Sequence, residues 1–223
     1  MASLKQKQID AAQEFANATI NALKTGRGLH AETAIAATAR MAGTFLFRSF
    51  EFSDKGIEPG QVVLSGLANE QGPELIQLLN DTLSHIGVHL NEDEMGRAPG
   101  PENQPYQGFL ETQKHLEPLY MAIQNRHRLS AKEAAKSGTI AAALLIRQCS
   151  QVLNPNVAFG IAAYGIIEGT KTAPDPVVVL PRNHSRSRAE ANRKVGRAKP
   201  ALKRRLQKVM RRLASDGGPR RET

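Results

Sequence analysis

The chain is poor in several of the residues from which a function is usually read. It has one cysteine and no tryptophan in 223 residues, and its aromatic content is 4%. A single cysteine excludes an intrachain disulfide framework and a thiolate zinc cluster. Scarce aromatics mean that a core must be built mainly from Ala, Leu, Ile and Val, which the 40% hydrophobic content supplies. No charge-poor apolar run reaches the roughly 18 residues that a membrane-spanning helix needs. The opening residues, Met-Ala-Ser-Leu-Lys-Gln-Lys-Gln, contain no apolar signal segment. The expectation is a soluble, cytoplasmic protein in a reducing compartment. No glycine-rich phosphate loop, nucleophile elbow or kinase signature occurs, and no pattern calls for a cofactor.

What the chain does have is an uneven charge. The formal net charge is +9, but residues 181–223 carry 15 Lys and Arg against three acids, Glu190, Asp216 and Glu222. Residues 1–180 carry the other 15 against 18 acids. The tail is therefore +12 and the body −3. Basic character belongs to the tail, and such an asymmetry marks an interaction segment.

The body reads as successive helices. Ile9, Ala12, Ala16, Ile20 and Leu23 fall in steps of three and four, one helical face, before Gly26 and Gly28 stop the run. The second run, Leu29 to Phe50, is Ala-rich, and its small residues Ala36, Ala39, Ala42 and Gly43 admit a close neighbour. Residues 51–72 hold the glycines and proline of a long connection. Its Val62-Val63-Leu64 triplet fits either an extended segment or a turn of helix. Pro73 suits a first helical position, and Leu75 to Ile86 define a third helix closed by Gly87. After a Pro/Gly-rich acidic loop at 91–105, Phe109 to Ile123 form a fourth helix. Ser130 and Glu133 have capping-box spacing and open a fifth helix through Cys149. Asn154-Pro155 opens a sixth, ended by Gly169; Gly160 and Gly165 weaken it unless close packing requires them.

Leu29-His-Ala-Glu-Thr-Ala34 aligns with Leu129-Ser-Ala-Lys-Glu-Ala134, and Leu46-Phe47-Arg48 with Leu145-Ile146-Arg147 after a one-residue slip. Two pseudo-repeated three-helix halves would explain this, but Ala-rich helices also resemble one another by composition, so six helices without internal symmetry is the simpler expectation. The fold expected is an all-α bundle of about six helices over residues 1–172. An extended basic linker follows at 173–198, then a basic amphipathic helix at 199–215 and an unstructured end at 216–223.

Few residues are candidates for chemistry. His85 and His89 are four apart near the end of the third helix, and Glu92 follows, so together they form a candidate metal site. A histidine near a helix C-terminus is equally explained by the dipole. Glu111 and His115 have the spacing of a helix-surface pair. Arg40, Arg48 and Arg147 lie inside apolar runs. Each either reaches past the core to water or pairs with an internal acid such as Glu32 or Glu51; alternatively, Arg48 and Arg147 form an anion clamp between the two halves. Cys149 sits on an apolar face without a nearby base and reads as an inert thiol. No catalytic constellation emerges.

The tail carries the strongest signal. Leu202, Leu206, Val209 and Leu213 form an apolar stripe flanked by Lys203, Arg204, Arg205, Lys208, Arg211 and Arg212. Such a helix can dock on its own body, a protein partner, an anionic membrane or nucleic acid. The tail has 11 Arg to 4 Lys and no aromatic residue, which favours phosphate contacts over bilayer anchoring and excludes base stacking. The function expected is a non-enzymatic helical interaction protein whose tail binds nucleic acid or another anionic partner without sequence specificity. The alternative is a bundle enzyme or ligand-binding protein with a site between the halves. Small-residue helix faces also make a homodimer an expectation.

Overall fold

The computed structural model describes residues 5–50, 57–94 and 100–175. Among them are six α-helices: α1 (Gln6–Leu23), α2 (Ala31–Arg48), α3 (Gly66–His85), α4 (Phe109–Arg126), α5 (Ala131–Cys149) and α6 (Pro155–Lys171). The described residues contain no strand, only isolated backbone bridges between Thr25 and Gly28 and between Val62 and Thr172. No helix among them is long and apolar enough to cross a membrane. The all-α expectation holds for this part of the chain. Of the linker expected at 173–198, only residues 173–175 are described; the rest of it, the amphipathic helix expected at 199–215 and the end at 216–223 lie outside the described residues.

Local sequence accounts for most helix boundaries. Ser130 and Glu133 close a capping box, each side chain accepting the other residue's backbone N–H. Asn154 caps α6 by accepting the Asn156 N–H, with Pro155 in the first turn. Two boundaries differ from expectation. α3 begins at Gly66 rather than Pro73, because the Ser65 hydroxyl accepts the Ala68 N–H and supplies an earlier cap. Pro73 lies inside the helix, where its missing N–H leaves the Asn69 carbonyl without a helical donor. Both residues are exposed, so water can replace it. α6 also runs through Gly169 to Lys171, since that glycine serves packing and not termination.

The two central helices are the Ala-rich ones. α2 is buried from Ala31 to Phe47 apart from Glu32, and α5 from Ala134 to Ile146 apart from Lys136. A helix covered on all sides needs small residues so that its neighbours can approach. α5 crosses α2 antiparallel: Gly138 meets Ala42, and Glu32 at the start of α2 acts on the Cys149 thiol at the end of α5. α6 runs parallel to α2 at glycine contacts. A Cβ on Gly43 would strike the Ile166 carbonyl oxygen, and one on Gly169 would strike that of Arg40. One on Gly165 would stand 3.0 Å from the Ala36 carbonyl oxygen. The close neighbours that the small residues of α2 admit are thus α5 and α6 of the same chain.

Each of the first three helices packs on one of the last three. α1 packs on α4, α2 on α5 and α3 on α6. α6 lies along α2 as α3 does along α5, and α1 meets α5 as α4 meets α2. The counterparts are unequal: α2 with α6 is far more extensive than α3 with α5, α1 with α5 more than α4 with α2, and the small α1–α2 contact has no comparable α4–α5 one. Corresponding helices of the first and second three thus meet, but to different extents, and the described helices form one all-α bundle.

The interior between α1, α2 and α4 holds a cluster of three aromatic rings. Phe15 stacks on Tyr120 at 4.3 Å between ring centroids, with Phe45 alongside. The Tyr120 hydroxyl is fully buried against Thr19 (2.7 Å) and Thr38 (3.4 Å), and burial pushes its pKa up to about 12. The Val62–Leu64 triplet is extended. Gly60, Gln61 and Val63 bond to the backbone of Lys171 and Ala173, lashing the α2–α3 connection to the end of α6.

Candidate functional site

The most developed polar site among the described residues lies where the α1–α2 turn meets the segment entering α4. Thr25 and Gly28 exchange backbone hydrogen bonds, making a tight turn that carries Arg27 at its tip; Gly28 takes a φ of +110°. Two residues later His30 caps α2. The Thr33 N–H donates to His30 Nδ1, so that nitrogen is the acceptor and the Nε2–H faces the Glu32 carboxylate at 3.3 Å. The Thr33 hydroxyl also donates to Nδ1 at 2.8 Å, and its oxygen accepts the Tyr106 N–H at 3.0 Å. This chain of bonds fixes residue 106 to the first turn of α2. It places the Tyr106 ring flat on the His30 imidazole, 3.9 Å between centroids.

The next residue is held from behind. Arg40 is buried in α2, donates through Nε to Glu168 of α6 at 2.6 Å, and donates through Nη1 to the Gln107 carbonyl and the Thr112 hydroxyl. The Gln107 side chain donates through Nε2 to His115 Nδ1 at 3.2 Å, leaving the His115 Nε2–H as that ring's donor. The Gln107 Oε1 is buried without a hydrogen-bond partner among the described residues. Between these groups is a cleft of about 640 Å³, whose lining includes the apolar Ala22, Leu23 and Leu29 and the basic Arg27, His30 and His115. No carboxylate lines it, although the body as a whole is acidic.

A carboxylate, an imidazole and a hydroxyl in line, Glu32–His30–Thr33, have the connectivity of a nucleophilic triad. The Thr33 oxygen already donates and accepts and is buried. The chain therefore works as a brace that orients the cleft wall.

The sequence candidates fall elsewhere. α3 ends at His85, whose Nδ1 bonds the Asp81 carbonyl, and Gly87 turns the chain with a φ of +79°. His89 lies beyond that turn, so the two histidines do not share a helical face. The Glu92 backbone opens a short 3-10 turn, and its side chain lies outside the described part. No cluster of three metal-ligating side chains occurs among the described residues. Arg48 donates to the buried Glu117 and, at 2.8 Å, to the Asp175 carbonyl. Burial raises the Glu117 pKa against the influence of Arg48. Arg147 is exposed at the end of α5. Because α2 and α5 run antiparallel, Arg48 and Arg147 stand at opposite ends of the pair, roughly 20 Å apart in helical rise. The structure does not bring them together as a clamp. The pairing reading describes Arg40 and Arg48, with Glu168 and Glu117 as partners in place of Glu32 and Glu51. His115 bonds Gln107 and not Glu111. Lys203, Arg204, Arg205, Lys208, Arg211 and Arg212 lie outside the described residues.

Sequence reasoning missed His30, Tyr106 and Gln107 because they are isolated polar residues separated by about 75 positions. The available signal was local: His30 precedes a helix, in a cap position. No family model matches the chain, and no curated protein or solved structure does.

Proposed function

We propose that this protein is a helical interaction protein whose basic C-terminal segment binds nucleic acid through phosphate contacts, without sequence preference. The observation that carries the reading is the charge division: 15 Lys and Arg against three acids in residues 181–223, attached to a body of net −3. Arginine presents paired donors that match phosphate geometry. The lack of tail aromatics leaves electrostatics as the main source of affinity, which makes binding tolerant of sequence. Cytoplasmic residence belongs to the same reading.

The test uses the full chain and a full-length variant in which Lys203, Arg204, Arg205, Lys208, Arg211 and Arg212 are all replaced by Gln. Binding to a labelled duplex DNA and a single-stranded RNA is followed across a salt series. About six phosphate contacts predict that affinity falls by about a thousandfold between roughly 50 and 200 mM salt, and that the variant loses most binding at the lower salt. Equal binding by both proteins, or none by either at low salt, removes the reading. Preference for anionic vesicles over both polymers would assign the tail to a membrane surface instead.

A further inference from the structure

We infer that the cleft between the α1–α2 turn and the 106–107 segment binds a small planar aromatic molecule that carries an anionic group. The inference does not depend on the tail. Three observations converge. The first is electrostatic: Arg27, His30 and His115 line a cleft that no carboxylate lines, in a body whose acids outnumber its bases. The donors available to an anion are the Arg27 guanidinium and the His115 Nε2–H, since Gln107 occupies Nδ1 of that ring. The His30 Nε2–H is already turned to Glu32.

The second observation is the ring of Tyr106. It is 79% exposed, which is unusual for a residue whose backbone and one ring face are so firmly held. His30 supports one face, and the exposed remainder of the ring offers a stacking platform of fixed orientation. Aromatic rings bind other rings in this way with little dependence on the identity of the guest. The third is size and preorganisation. A volume of about 640 Å³ lies within the range of small-molecule sites. Its walls are set by bonds behind the cleft: Thr33 to His30 and Tyr106, and Arg40 to the Gln107 carbonyl. A lining that combines Ala22, Leu23 and Leu29 with Arg27 and His115 fits an aromatic body with a carboxylate or phosphate at one end. A nucleoside monophosphate has these parts, and so does an aromatic acid.

The experiment is titration calorimetry of the full-length protein with adenosine 5′-monophosphate and with benzoate. Adenosine and inorganic phosphate serve as the ring without the anion and the anion without the ring. The expected result is saturable one-to-one binding of at least one aromatic anion with a Kd of about 1 mM or tighter, and at least tenfold weaker binding of adenosine and of phosphate. Tyr106→Ala and Arg27→Gln should each weaken the bound probe about tenfold. Both side chains are exposed, so circular dichroism and thermal unfolding should match wild type. The full-length variant with six tail substitutions to Gln separates this site from the tail and should bind the probe as wild type does. Failure of both aromatic anions to bind overturns the inference. So does binding that Tyr106→Ala leaves unchanged, or binding that disappears with the tail charges while Arg27→Gln has no effect.

Discussion

Replacing Gly169 by Ala tests the packing at the centre of the molecule. The new methyl would meet the Arg40 carbonyl oxygen, with the Arg40 carbonyl carbon and the Gly43 Cα each 3.0 Å away. All three are backbone atoms, so no side chain can rotate aside, and α2 and α6 must move apart. Overpacking of a close-packed interior costs about 1–3 kcal/mol. Exchanging Gly for Ala within a helix returns about 1 kcal/mol through propensity. Because the obstruction is backbone on every side, the upper end applies, and the net loss should be about 2 kcal/mol. For a protein of this length that is a fall in Tm of about 4–8 °C. Guanidinium and thermal unfolding read it directly. Gly66→Ala is the control, since nothing lies within 4 Å of its added Cβ. It should be neutral or stabilising by up to about 1 kcal/mol. A Gly169→Ala protein as stable as the Gly66→Ala protein would refute the close α2–α6 contact. The double variant Gly43→Ala/Gly169→Ala should lose less than the sum of its parts, because helices already separated by one methyl admit the second more easily.

Three further outcomes follow from the buried polar groups. Burial raises the Glu117 pKa above its ordinary value while Arg48 opposes the rise. A raised carboxyl favours folding most below its unfolded pKa and loses that advantage as pH climbs through the folded one. Removing Arg48 widens the gap. Arg48→Met should therefore cost more at about pH 8 than at about pH 4, with a loss of about 3 kcal/mol at neutral pH. Equal losses at both, measured by denaturant unfolding, would mean that Glu117 is not the responsible group. Tyr120→Phe takes the buried hydroxyl from Thr19 and Thr38, which still bond each other at 3.0 Å. The expected loss is about 1–2 kcal/mol in the same assay, and no loss would mean that the hydroxyl is idle. Burial, with Glu32 adding to it, raises the Cys149 thiol above its usual value. Its reaction with an aromatic disulfide reagent at neutral pH should be slower than that of a free cysteine and should accelerate only at alkaline pH. Fast labelling at neutral pH would contradict the burial.

Much of the fold was readable in the chain because its determinants are local. Apolar residues in steps of three and four marked each helix. The Ser130–Glu133 pair and Asn154-Pro155 set two helix starts through bonds made within four residues. Even the small residues of α2 announced a close neighbour, and Gly165 needed one. The start of α3 was misplaced because Pro73 is an obvious signal and the Ser65 cap a quieter one, with the helix able to carry a proline on its exposed side.

The sequence by itself thus determined that the body is helical, where most helices begin, and that positive charge is concentrated in the tail. Which helix meets which, and with what polarity, was decided by tertiary packing. The antiparallel run of α2 and α5 is what parts Arg48 from Arg147, and the parallel run of α6 is what gives Arg40 its partner in Glu168. The cleft has the same origin. His30 and Tyr106 are 76 positions apart and meet only because Thr33 and Arg40 tie the approach to α4 against α2. Periodicity encodes which face of a helix is buried. It does not encode the partner, because one Ala-rich surface accepts another almost equally well until glycine contacts and buried ion pairs select the match.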